Sequence, residues 1–206
     1  PRWNGYNRED LDHVGWVHTI GRLAETGGDL TPQPCLTSEE IYRTVLKNVR
    51  AWMAENPNAR YISVSQNDSI EHCECENCLA VEAEEGSASG PWIRFVNRIA
   101  NDIKDEYPNV MVETLAYSYT QAPPKVTKPV ENVAVRLCTI GACFAHAIDD
   151  PNCPQNVTFC HDLEEWSKIC DHMMIWTYAA NFAAGDACGM GPNIHVILKE
   201  AKYYRD

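Results

Sequence analysis

Cys73, Cys75 and Cys78 stand at the spacing C-x-C-x2-C, directly after His72. Thiolates are the soft donors that zinc takes in tetrahedral sets of four, so three cysteines this close resemble a metal knuckle that lacks one ligand. Cys143, Cys153 and His72 are the candidates for the fourth position, and the set Cys73, Cys75, Cys78 and Cys143 is one possible structural zinc site. Disulfides from this loop to the loop carrying Cys143 and Cys153 are the competing expectation, because a bridge inside C-x-C itself is strained. Free thiols are the third. A metal or a disulfide would make the cluster a clamp on the chain just before it, Ser65-Gln66-Asn67-Asp68.

Asp68 is the candidate catalytic residue, as a general acid. A carboxyl group at a strand tip can protonate a leaving oxygen, and glycoside hydrolysis normally uses two such groups. Asp68 could equally cap the following turn. No convincing second carboxylate follows. Glu113 sits early in its strand, where it would point inward or pair with Arg136, and Glu71 could be solvated. Around Asp68 the sequence offers rings, amides and hydroxyls at predicted strand ends: His18, Gln66, Asn67, Tyr117, His146, Trp176, Tyr178 and Asn181. Rings stack on the apolar faces of sugars and amides bond their hydroxyls, so this set suits a polyhydroxylated ligand. For each histidine a purely structural role is the competing assignment, and for Trp176 and Tyr178 it is core packing.

These residues need elements to position them. Residues 61–65 read as a buried strand. Thr37 and Glu40 form a capping box ahead of Ile41, Val45, Val49, Trp52 and Met53, which repeat at helical spacing. Ser89 and Pro91 open a second helix with Trp92, Val96, Ile99 and Ile103 on one face. Strands are predicted at 110–119, 133–139 and 173–178, with a third helix marked by Phe159, Leu163, Trp166 and Cys170 and a last one over 193–204. Residues 121–132 hold three prolines and no apolar stripe, so no helix fits there. Short strands are also expected at 16–20 and 34–36. The acidic run at 82–85 reads as a solvated face, and 185–192 as a glycine-rich loop. Strands alternating with helices predict an α/β domain with a parallel sheet. Four clear strands do not close a (β/α)8 TIM-type barrel, so the expectation is a single barrel domain over residues 1–206, incomplete or excerpted from a longer chain.

Composition narrows the partners. The 206 residues carry a formal net charge of −12 and no run of basic residues, which argues against nucleic acid. No apolar stretch is long enough to span a bilayer. Ten cysteines are many for a cytosolic enzyme. No Walker pattern, dinucleotide fingerprint or nucleophile elbow occurs, and no cofactor is required beyond the possible zinc.

The segments Val64-Ser65-Gln66-Asn67-Asp68, Cys73-Glu74-Cys75-Glu76-Asn77-Cys78, Thr114-Leu115-Ala116-Tyr117, Cys143-Phe144-Ala145-His146, Asp149-Asp150-Pro151-Asn152-Cys153 and Ile175-Trp176-Thr177-Tyr178 resemble an uncharacterised family of alpha-glucuronidase-like, glycoside-hydrolase-type barrel domains. The resemblance implies a secreted or periplasmic bacterial protein, a role in polysaccharide degradation, a glycan ligand, and further domains on the same chain. A carbohydrate-binding barrel without catalysis and a cysteine- or zinc-stabilised scaffold are the alternatives.

Overall fold

A computed structural model describes residues 13–178 and 195–205. Its strands are β1 (His13–Val14), β2 (Tyr61–Ser63), β3 (Met111–Ala116), β4 (Val133–Cys138) and β5 (Met173–Trp176). Its helices are α1 (Ile20–Leu23), α2 (Glu39–Glu55), α3 (Glu76–Glu85), α4 (Ser89–Ile103), α5 (Pro154–Ser167) and α6 (Ile197–Arg205). The five strands form one sheet in the order β1-β2-β3-β4-β5, and every pairing is parallel. The domain is therefore α/β with a parallel sheet, as the alternation predicts.

Period-two alternation divides the sheet into two unlike faces. Ile62, Val64, Val112, Ala116, Val133, Val135 and Leu137 belong to the apolar core shared with the helices. Val45, Val49 and Met53 of α2, Trp92, Val96 and Ile99 of α4, and Phe159 and Trp166 of α5 close over them. The intervening residues, Glu113, Arg136 and Cys138 among them, face the other way and are buried too. The sheet thus has an oily outer face and a polar inner one.

Local differences from the predicted elements have simple causes. β1 precedes residues 16–20 and stops at Gly15, whose φ of +62° turns the chain. A Cβ at Gly15 would lie 2.9 Å from both Thr19 and Trp52 side-chain atoms, so the turn needs glycine. The short strand expected at 34–36 is absent; the chain there is irregular. Ser38, not Thr37, caps α2 and accepts from the Ile41 amide at 3.4 Å. The 117–132 crossover holds only a 3-10 turn, Ser118–Thr120, as its prolines imply.

α3 and Glu85 correct the reading of 82–85 as a solvated run. Glu85 is fully buried and accepts from Arg94 Nε at 2.6 Å, from the Thr127 amide at 2.9 Å and hydroxyl, and from the Val126 amide at 3.2 Å. Burial raises its pKa, but these donors outweigh it and hold the carboxyl below the usual range. Gly90 makes room: a Cβ there would come within 2.2 Å of Glu85 Cβ. The loop over 125–127 is thereby tied to α3 and α4.

Candidate functional site

The carboxyl ends of the strands form a rim. After β1 the chain runs beside the extension of β2, where the amides of Thr19 and Ile20 donate to Ser65 O at 3.1 and 2.9 Å. The Thr19 hydroxyl donates to Ser63 O at 2.9 Å and accepts from the Ser65 amide at 3.0 Å. This lacing sets His18, whose φ of +55° is uncommon for a residue with a side chain. His18 Nδ1 lies 2.8 Å from Gln66 O.

Asp68 is exposed at this edge. Its amide donates to Asp29 O at 2.7 Å, and the Tyr117 hydroxyl donates to its Oδ1 at 2.8 Å. Burial, then that bond and the Asp68 charge, push the Tyr117 phenol up. The His18 and Tyr117 rings lie 5.8 Å apart. Trp16 and Trp176 are 6.2 Å apart, Trp176 and Tyr178 6.3 Å, and Phe144 and Tyr178 6.2 Å. Burial, then the charges of Cys138, Tyr117 and Asp68, raise the Tyr178 pKa, so these four groups share one electrostatic neighbourhood. His18, Asp68, Tyr117, Trp176 and Tyr178 are thus brought together as the strand-end rule predicts.

Gln66 and Asn67 take a different role from the ligand contacts expected of them. Both are fully buried. Gln66 Nε2 donates to Leu115 O at 3.0 Å and to the Thr120 hydroxyl. Asn67 Oδ1 accepts from the Gly21 amide at 3.0 Å, and its Nδ2 donates to Thr31 O and Oγ1 at 3.1 and 3.0 Å. Gln33 grips the Asn67 backbone from both sides: Oε1 accepts from its amide at 2.9 Å, and Nε2 donates to its carbonyl at 3.0 Å. These bonds hold the chain just before Asp68 in place; Asn67 is engaged through both its side-chain oxygen and nitrogen, whereas Gln66 Oε1 is buried without a hydrogen-bond partner among the described residues. Asn181 lies outside the described residues.

Beneath the rim, Arg136 meets Glu113 through Nε–Oε1 at 2.8 Å and Nη2–Oε2 at 2.9 Å. His13 Nδ1 stands 3.4 Å from Glu113 Oε2. The guanidinium is 4.8 Å from the Trp16 ring centre and 5.4 Å from that of Trp176. Burial raises the Glu113 pKa to about 7 against the downward pull of Arg136. Glu113 points inward and pairs with Arg136, so it is not presented to a ligand.

The cysteine knuckle finds its fourth partner at Cys35, not at Cys143, Cys153 or His72. The sulfurs of Cys35, Cys73, Cys75 and Cys78 all lie within 4.8 Å of one another. Cys35 Sγ is 3.8 Å from Cys75 Sγ and 3.7 Å from Cys78 Sγ. The Thr37 hydroxyl stands 3.3 Å from the sulfurs of Cys35 and Cys78. The four can hold a metal ion. The Cys78 amide and then the Thr37 hydroxyl hold the Cys75 thiol down at about 6, whereas burial pushes Cys73 up. His72 turns away, stacked on Tyr119 at 4.8 Å with Nε2 3.8 Å from Glu82.

Cys143 and His146 belong to a separate group with Cys153, again within 4.8 Å of one another. That removes Cys143 from the knuckle and assigns exposed His146 a sulfur neighbour, at 3.3 Å from Cys143 Sγ. All of these cysteines are unbridged, so the cross-loop disulfides do not form. Sequence reasoning missed Cys35; the signal was the unfilled fourth position of the knuckle.

A family model described as a domain of unknown function, DUF4838, matches residues 22–206. Comparison with curated proteins finds no match, and comparison with solved structures finds none. No helix among the described residues is long and apolar enough to cross a membrane.

Proposed function

The chain belongs to the DUF4838 family of domains, and we propose that it is a glycoside-hydrolase-like module whose rim engages a complex polysaccharide, with Asp68 as general acid. The observation that carries this is an exposed carboxyl group, held by the Tyr117 hydroxyl at 2.8 Å, at the carboxyl ends of the strands that also carry the tilted rings of Trp176 and Tyr178, with Tyr178 close enough to feel the charges of Tyr117 and Asp68. Rings offer stacking faces for sugars, and Asp68 offers a proton donor or acceptor to their oxygens. The consecutive parallel strand order supports an excerpt of a (β/α)8 barrel. A polysaccharide ligand fits a secreted or periplasmic protein.

The four-cysteine cluster serves this rim as a structural zinc clamp. Zinc–sulfur bonds of about 2.3 Å at tetrahedral angles put sulfurs about 3.8 Å apart. The 3.7 and 3.8 Å separations at Cys35 match that edge and are far from the roughly 2.05 Å of a disulfide.

The test is a panel of polysaccharides scored for binding and for reducing-sugar release. Asp68→Asn is expected to lower release by about 10²–10⁴-fold while binding persists, and Trp176→Ala to weaken binding. Unchanged release by Asp68→Asn would remove the catalytic assignment. A second possibility is binding without turnover, favoured by the engagement of Glu113 with Arg136; it requires affinity for a glycan with no release from any substrate.

A further inference from the structure

We propose that Cys143, His146 and Cys153 form a second metal site, for zinc, with three protein donors and a fourth position open to water or a small anion. The donors are two thiols and an imidazole, a set that suits zinc and other borderline cations and not magnesium or calcium. All three donor atoms fall within 4.8 Å of one another, and Cys143 Sγ is 3.3 Å from His146 Nδ1. A sulfur at about 2.3 Å and a nitrogen at about 2.0–2.1 Å from one zinc stand about 3.6 Å apart at the tetrahedral angle, so a small opening of the contact admits the ion.

The loop is built to hold this shape without metal. Asn156 of α5 is fully buried. Its Oδ1 accepts from the Cys143 amide at 2.7 Å, and its Nδ2 donates to Ala147 O at 2.9 Å, with longer contacts to the carbonyls of Cys143 and His146 at 3.3 and 3.4 Å. One side chain thus fixes the backbone on both sides of the first two donors. Cys153 is the N-cap residue of α5 and is buried. Gln155 adds a bond from Nε2 to Gly141 O at 2.9 Å. Preorganised donors with supporting hydrogen bonds are the usual setting of a metal site. Two cysteines and one histidine leave a tetrahedral ion one vacant position, the arrangement of zinc sites that keep an exchangeable ligand. His146 is exposed and Cys143 half-buried, so an ion held there would lie near the surface. The site shares no residue with the knuckle and does not depend on the carbohydrate assignment.

The experiment uses the full chain, purified reduced and zinc-loaded, with metal counted by mass spectrometry. The expected content is two zinc ions for the wild type and one for each of Cys143→Ser, His146→Ala and Cys35→Ser, with none in Cys143→Ser/Cys35→Ser. After cobalt substitution, azide should shift the visible bands of Cys35→Ser, which retains the open site, and leave those of Cys143→Ser unchanged. Because His146 is exposed, His146→Ala should keep the wild-type far-ultraviolet circular dichroism. One zinc in the wild type, kept in full by both Cys143→Ser and His146→Ala, would overturn the proposal. So would a Cys143–Cys153 disulfide found by non-reducing peptide mapping of the zinc-loaded protein. Loss of zinc only with Cys35→Ser would leave the knuckle standing and this site refuted.

Discussion

Removing the proposed zinc clamp should cost stability in proportion to the chain it would close. Cys35 and Cys75 are 40 residues apart, so the ion ties a loop of that length. The chain-entropy expression for a cross-link gives a loss near 13 cal/mol/K for such a loop, or about 4 kcal/mol at 25 °C. For a domain of this size each kcal/mol moves the midpoint by about 2–4 °C, so a drop of roughly 8–16 °C is expected. The perturbation is Cys35→Ser, or a strong chelator added to the wild type, followed by thermal unfolding under reducing conditions with metal content measured in parallel. Chelator should lower the midpoint at least as much as the substitution does, and any further drop it causes in the variant reports the separate Cys143, His146 and Cys153 group. A chelated protein shown to have lost the knuckle ion, yet melting within about 2 °C of the loaded form, would refute the cross-link logic. The sulfurs would then be neighbours that no ion needs to hold.

Other outcomes follow from the buried polar groups. Glu85→Gln should cost about 1–3 kcal/mol at neutral pH, because the buried carboxylate accepts from Arg94, Thr127 and Val126 and an amide cannot satisfy all of these donors. Since the folded pKa of Glu85 is depressed from 4.5, its contribution is present above that value and is lost as pH falls through the folded pKa; the gap between wild type and variant in urea unfolding should close on acidification. Arg136→Met alone should cost about 3–5 kcal/mol by stranding Glu113, whereas Arg136→Met with Glu113→Leu should recover most of it, as a double-mutant cycle in denaturant would read. Gln33→Leu removes the bonds to Asn67 and the one to Ser69 O at 2.7 Å; it should weaken glycan binding while the knuckle keeps its metal, measured by titration and metal analysis.

How much of this was legible in the sequence depends on whether the signal is local. The place of Glu113 early in its strand set it inward or against Arg136, and the strand-tip rule gathered Asp68, Tyr117, Trp176 and Tyr178, because both readings need only a residue's position along its strand. The β-branched and aromatic residues at 16–20 imitated a strand, but Gly15 and His18 take positive φ and break it. α3 escaped because it has no apolar stripe; its buried residues are Cys78 and Glu85. The donors that make Glu85 a buried hub lie at Arg94 and at Val126–Thr127, so no reading of the acidic run alone could find them. Cys35 is distant in the same sense: its partners come from the other side of α2 and β2.

Those distant contacts are what give the rim its shape. The segment from Thr31 to Cys35 meets the segment from Asn67 to Cys78 through Gln33, whose side chain brackets Asn67 and whose amide donates to Glu71 O at 2.8 Å. The four sulfurs close the same pair of segments a few residues further on. Asp68 stands between these fastenings, exposed although the two residues before it are fully buried. A carboxyl group that only capped a turn would need little of this support. The density of fixed contacts around one exposed side chain is what preorganised binding requires, since a ligand then spends little free energy on ordering its site.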